Sequence, residues 1–128
     1  MNLIIEQGNT LTKVAIFDKE KLVETCAYKN TSFELMHIEA LLQKYPCEQG
    51  ILSTVIEEDD RLLSLLRERL AAFYILNEQM ALPIRIGYET PHTLGKDRIA
   101  AVVGAQSLRP ACDVLVIDAG TAITYELL

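Results

Sequence analysis

The sequence predicts an α/β fold, a mixed sheet with flanking helices. Two observations point there. Short apolar runs of strand length share the chain with stretches of helical period, first three strands and then helix and strand in turn. A strand–turn–strand pattern at the start also returns near the end. The first copy reads Leu3-Ile4-Ile5-Glu6-Gln7-Gly8-Asn9-Thr10-Leu11-Thr12, and the second Leu115-Val116-Ile117-Asp118-Ala119-Gly120-Thr121-Ala122-Ile123-Thr124. Superimposed, Glu6 falls on Asp118, Gly8 on Gly120 and Thr12 on Thr124.

Asn2 to Gln7 is a short apolar strand. In the next, Leu11 to Asp18, the residues Val14, Ala15, Ile16 and Phe17 run together, which suits a central strand covered on both faces. Asp18 to Lys21 is a polar turn, and Leu22 to Tyr28 a third strand. Thr31-Ser32-Phe33-Glu34 reads as a capping box, with Thr31 as the cap and Glu34 reaching back. Phe33, Met36, His37, Ala40 and Leu41 then share a helical face, and Pro46 bounds that helix. Gly50 to Val55 is a strand. Glu57, Glu58, Asp59 and Asp60 give the next helix an acidic first turn, favourable at the positive end of its dipole. Leu62, Leu63, Leu66 and Leu70 form its apolar stripe. Phe73 to Leu76 and Ile84 to Tyr88 are short strands, and a loop carries Pro91. A third helix runs from Gly95 to Ser107, stopped by Pro110, and Asp113 to Ile117 opens the second copy of the first motif.

At 128 residues the chain has the size of one domain, and half of it is hydrophobic, enough for a real core. A formal net charge of -6 argues against nucleic acid as a partner. The opening apolar run, Leu3 to Ile5, is too short for a signal peptide or a membrane span, so a cytoplasmic protein without membrane partners is expected. Cys26, Cys47 and Cys112 lie far apart with no C-x-x-C spacing, and read as reduced, mostly buried thiols.

Two constellations carry chemistry. The first is the repeated turn. Glycine there lets backbone N–H groups close on an anion, and the neighbouring carboxylate can hold a cation directly or through water. Gly and Asn are also what an ordinary hairpin turn wants, so one copy alone would read as a plain turn. Two copies with the same acid, glycine and threonine favour a site, in which facing turns would grip a nucleotide polyphosphate and its metal. The second constellation runs from Tyr88 to Arg98, where Pro91 and Gly95 shape a loop entering a helix. Backbone N–H groups at a helix start favour anions, and Arg98 adds a planar fork for a carboxylate or phosphate. Asp97 either takes a proton from a substrate hydroxyl or caps the helix; spacing alone favours the cap. His92 and His37 read as a surface and a core-edge histidine.

These motifs together, acid-x-G-N-T from Glu6, Y-x-x-P-x-x-L-G-x-D-R from Tyr88 and D-x-G-T-A-x-T from Asp118, resemble those of type III pantothenate kinases. That family belongs to the actin, sugar-kinase and heat-shock-chaperone ATPase superfamily, and the resemblance spans Asn2 to Thr124. It implies a ribonuclease-H-like domain over residues 1–110 and the start of a second, similar domain over residues 111–128. It implies ATP-dependent phosphorylation of pantothenate to 4'-phosphopantothenate, the first step of coenzyme A biosynthesis. Glu6, Gln7, Gly8, Asn9, Thr10, Leu11, Thr12 and Lys13 would form the first ATP-phosphate segment, and Thr121 would contact ATP. Tyr88, Gly95, Lys96, Asp97 and Arg98 would form the pantothenate site, with Asp97 as catalytic base. Asp118 would hold a monovalent cation, K+ or NH4+, and Glu6 a divalent one, Mg2+. A homodimer is implied, with the pantothenate site near its interface. Glu6 stands where the family usually has Asp, and the second domain has only begun at Leu128, so the isolated 128 residues are expected to be an incompetent kinase. The alternatives are a non-catalytic nucleotide-binding or regulatory protein of the same fold, or a sugar or short-acid kinase. Tyr88 and the Asp97-Arg98 pair favour the pantothenate kinase.

Overall fold

A computed structural model describes every residue from Met1 to Leu128. The chain forms two compact units, Met1–Leu76 and Asn77–Leu128.

The first unit holds strands β1 (Asn2–Gln7), β2 (Leu11–Asp18), β3 (Lys21–Lys29), β4 (Gln49–Thr54) and β5 (Ala72–Ile75), with helices α1 (Leu35–Lys44) and α2 (Asp60–Arg69). The sheet order is β3-β2-β1-β4-β5. β1, β2 and β3 pair antiparallel, whereas β4 runs parallel to both β1 and β5. This is the mixed sheet with flanking helices that the sequence predicts. Its first three strands need only tight turns, while each parallel step requires a crossover, which α1 and α2 supply.

The core lies on one face of that sheet. Leu3, Ile5, Val14, Ile16 and Leu52 meet Ile38 and Leu41 of α1 and Leu62, Leu63, Leu66 and Leu70 of the α2 region. The leucine stripe of the second helix is therefore buried as its spacing predicts. β2 is an interior strand of the sheet, with Val14 and Ile16 buried, but Ala15 and Phe17 on its other face are only half-buried, so one face dominates. Glu24 on β3 accepts from Lys44 Nζ at 2.6 Å and from the Tyr45 hydroxyl, tying β3 to the end of α1. Those bonds, Lys44 first, hold the Glu24 carboxyl below its usual range.

The first helix begins later than the Thr31 box would have it. Residues Asn30–Ser32 form a 3-10 turn, Phe33 stays extended, and Glu34 is the cap of α1. The His37 Nδ1 accepts from the Glu34 N–H at 3.0 Å, which closes the start of the helix. The shift follows from packing. Phe33 and His37 gather on the Tyr28 ring of β3, with His37 stacked on it at 4.3 Å, and the helix turns Ile38 and Leu41 inward while Met36 is 61% exposed. α2 likewise starts at Asp60; Asp59 caps it, accepting from the Arg61 N–H at 2.9 Å, and Glu57 and Glu58 precede the helix.

The second unit holds α3 (Lys96–Leu108) and a separate antiparallel pair, β6 (Leu115–Ala119) and β7 (Ile123–Leu127). Residues 84–88 are not a strand. Leu82, Ile84 and Ile86 do alternate with exposed neighbours, which produced the strand-like pattern, but no strand forms a ladder with them. One face of the β6–β7 pair carries Leu115, Ile117, Ile123, Tyr125 and Leu127, all exposed. No cysteine is fully buried: Cys26 and Cys47 are half-buried and Cys112 is exposed, and all three are free. No helix is long and apolar enough to cross a membrane.

Candidate functional site

The first turn joins β1 to β2. The Gly8 N–H donates to the Leu11 carbonyl at 2.9 Å, so that N–H is spent within the turn. Asn30, just after β3, organises the rest. Its Nδ2 donates to the Gly8 carbonyl at 2.8 Å, its Oδ1 accepts from the Thr12 hydroxyl at 2.9 Å, and its backbone N–H donates to the Thr10 carbonyl. Asn9, Thr10, Leu11 and Lys13 are exposed, while Gln7 and Thr12 are buried. The Gln7 Oε1 and the nearby Ser53 Oγ have no partner. Glu6 faces Lys13 across the strands and pairs with its Nζ at 3.2 Å.

The second turn joins β6 to β7, with the Gly120 N–H donating to the Ala122 carbonyl at 3.0 Å. Asp118 and Thr121 are exposed. The two turns match in sequence but differ in register. Gln7 pairs with Thr12 in the first, whereas Ala119, which superimposes on Gln7, pairs with Ile123, the counterpart of Leu11. The first turn is one residue longer between its last paired positions. No glycine in the chain has a positive φ, and a Cβ at Gly8 or Gly120 would make only ordinary contacts. Neither turn needs glycine for its own backbone or packing.

The second unit contains a cavity of about 560 Å³. Ile84, Ile86, Ile99 and Val102 form apolar wall; Arg85, Tyr88, Arg98, Gln106 and Glu126 bring polar groups. The Arg98 guanidinium lies under the Tyr88 ring, 5.6 Å from its centroid. Its Nε donates to Glu126 Oε1. That carboxylate is the main reason the Arg98 pKa is raised, against the opposing effect of burial. An apolar wall with Arg98 held in place and Arg85 also in the lining suits a small organic acid.

The start of α3 sits beside this cavity in sequence, but Gly95, Lys96 and Asp97 do not line it. Lys96 Nζ is tied to Glu78 at 2.5 Å, both side chains largely shielded, and this bond holds the Glu78 carboxyl below its usual range. The Asp97 Oδ1 accepts from the Arg98 N–H at 2.9 Å, in the space that a Cβ on Gly95 would occupy. Asp97 therefore satisfies a helix-start donor, although the N-cap position itself belongs to Gly95. His92 is exposed in a short 3-10 turn.

Sequence reasoning missed Asn30, Glu78 and Glu126. On β7, Glu126 alternates with exposed Tyr125 and Leu127, so its side chain is shielded where the apolar neighbours are not, the reverse of what the sequence pattern suggests. No group of three or more His, Cys, Asp or Glu side chains gathers to hold a metal. A magnesium ion carried by nucleotide phosphates and water asks the protein for only one or two carboxylates. Glu6, one methylene longer than Asp and 35% exposed at its side chain, has the hard oxygen such an ion requires.

The sequence model of the type III pantothenate kinase family matches residues 2–128. A type III pantothenate kinase of Bacteroides fragilis strain YCH46 is 45% identical over 126 residues, 98% of this chain and 51% of that protein. One from Phocaeicola vulgatus is 45% identical over 129 residues, covering 100% of this chain and 52% of its own. Among solved structures, a Bacteroides thetaiotaomicron protein with actin-like ATPase fold and unknown function overlaps 58% of this chain and 31% of its own, with a TM-score of 0.48 and 9% identity. The chain spans about half the length of the relatives it matches. With the match running from residue 2 to residue 128, the chain belongs to the type III pantothenate kinase family.

Proposed function

We propose that the full-length protein transfers the terminal phosphoryl group of ATP to the primary hydroxyl of pantothenate, opening coenzyme A biosynthesis. The observation that carries this reading is the cavity in which Arg98 and Tyr88 meet over an apolar wall. Pantothenate is a small acid whose branched end carries two methyls beside its hydroxyls, and a guanidinium held against an aromatic ring suits its carboxylate.

Phosphoryl transfer asks mainly for positioning and charge neutralisation. Arg98 anchors the substrate carboxylate, and Tyr88 limits where it lies. Asp97 accepts the hydroxyl proton as the oxygen attacks, through Oδ2 while Oδ1 stays on the Arg98 N–H. The Glu6-to-Lys13 turn and Thr121 approach the phosphates. Glycine at positions 8 and 120, not required by either turn, leaves room for that approach. Glu6 would hold a divalent cation and Asp118 a monovalent one, which supply neutralisation of the triphosphate. We also propose residues 1–110 and 111–128 as the first domain and the start of the second, a cytoplasmic location, and a homodimer whose interface shields Tyr88.

The test is turnover with pantothenate, ATP and magnesium. The full-length protein should release ADP only when pantothenate is present. Asp97→Asn should cut kcat by about 100-fold or more with little change in the pantothenate KM. Turnover within tenfold of the parent would leave Asp97 as a helix-start acceptor and nothing more.

A further inference from the structure

We propose that Glu126 is a positioning residue, which presents the Arg98 guanidinium to the carboxylate of the substrate. This rests on the pantothenate kinase reading and adds to it a residue that no motif marks.

The geometry carries the inference. Arg98 is the second residue after Lys96, at the start of α3, and its side chain would ordinarily sweep a wide volume. Two contacts remove that freedom. In the guanidinium plane, Glu126 Oε1 takes the Nε–H; across the face, the Tyr88 ring covers it at 5.6 Å. Both Arg98 and Glu126 are largely shielded, with side chains 27% and 16% exposed, and all three residues line the same cavity. A guanidinium offers five N–H groups on a rigid fork. A carboxylate on Nε engages one edge, which leaves the terminal nitrogens to meet a second carboxylate from the cavity. Two carboxylates on different edges of one guanidinium do not compete for the same hydrogens. Fixing the fork in advance removes ordering that the substrate would otherwise have to impose, so its effect belongs to binding. Glu126 comes from β7, after the second turn, so this contact joins the helix start to the strand that follows the Asp118 motif.

The experiment is a double-mutant cycle on the full-length protein, using Glu126→Ala, Arg98→Ala and both together. Glu126→Gln is added because its amide oxygen can still accept the Nε–H without the charge. Glu126→Ala should raise the pantothenate KM tenfold or more, with the ATP KM and kcat within about twofold. Glu126→Gln should recover part of that loss. In the Arg98→Ala background, removing Glu126 should change the pantothenate KM by less than twofold. Equal rises in both KM values, or the same Glu126 effect with and without Arg98, would overturn the positioning role while leaving the kinase reading intact. A lower pantothenate KM on removing Glu126 would make it a competitor of the substrate and also overturn the proposal. A parent protein without pantothenate-dependent turnover would overturn the kinase reading and this inference with it.

Discussion

At the scale of single residues, Gly95 shows what glycine contributes when φ is ordinary. Its φ of -56° is open to any residue, so the requirement is one of space. A Cβ there would meet Asp97 Oδ1. Gly95→Ala must therefore move the Asp97 carboxylate off the Arg98 N–H. A displaced catalytic group costs rate out of proportion to the shift, so steady-state kinetics should show kcat down by about tenfold or more. A thermal melt should show the fold retained. Unchanged turnover would mean that the observed seat of Asp97 does not matter to the reaction. The motif from Tyr88 to Arg98 was legible because its residues are close in sequence and lead into a helix start. Glu126, Glu78 and Asn30 were not, because their bonds to Arg98, Lys96 and Gly8 cross 28, 18 and 22 residues. Local spacing holds no record of such partners.

At the scale of elements, periodicity located most strands and helices, since an apolar residue every second or every third to fourth position maps onto one buried face. It failed where burial alternates without a hydrogen-bonded neighbour, as at Ile84 and Ile86, and where aromatic packing around Tyr28 delays a helix past its apparent cap. β4 illustrates a tighter demand. A Cβ on Gly50 would lie 2.6 Å from the Leu70 Cδ1 and 3.2 Å from the Leu3 carbonyl oxygen. Gly50→Ala should destabilise the first unit by about 1–3 kcal/mol through overpacking, read as a lower denaturant midpoint. Shortening the obstacle with Leu70→Val in the same chain should return part of that loss. The one-residue difference between the two turns has its own consequence at this scale. If the first turn closed in the register of the second, with Gln7 opposite Leu11, β2 would slip by one position and turn Thr12, Val14 and Ile16 toward solvent.

At the scale of the whole molecule, the two units differ in how much core each contains. Met1–Leu76 holds a cluster of eleven buried hydrophobic residues, whereas Ile99 is the only fully buried hydrophobic side chain from Asn77 onward. The unit with the thin interior is the one that holds the cavity. Regions with few buried contacts open at low free energy, and a ligand that binds only the closed form makes opening rarer in proportion to its occupancy. Occupant and side chains would then together form the interior that side chains alone leave unfinished. In hydrogen–deuterium exchange, saturating pantothenate should slow the backbone amides of α3 by tenfold or more. The amides of β1 and β2 should keep their rates, because their protection already derives from a complete core.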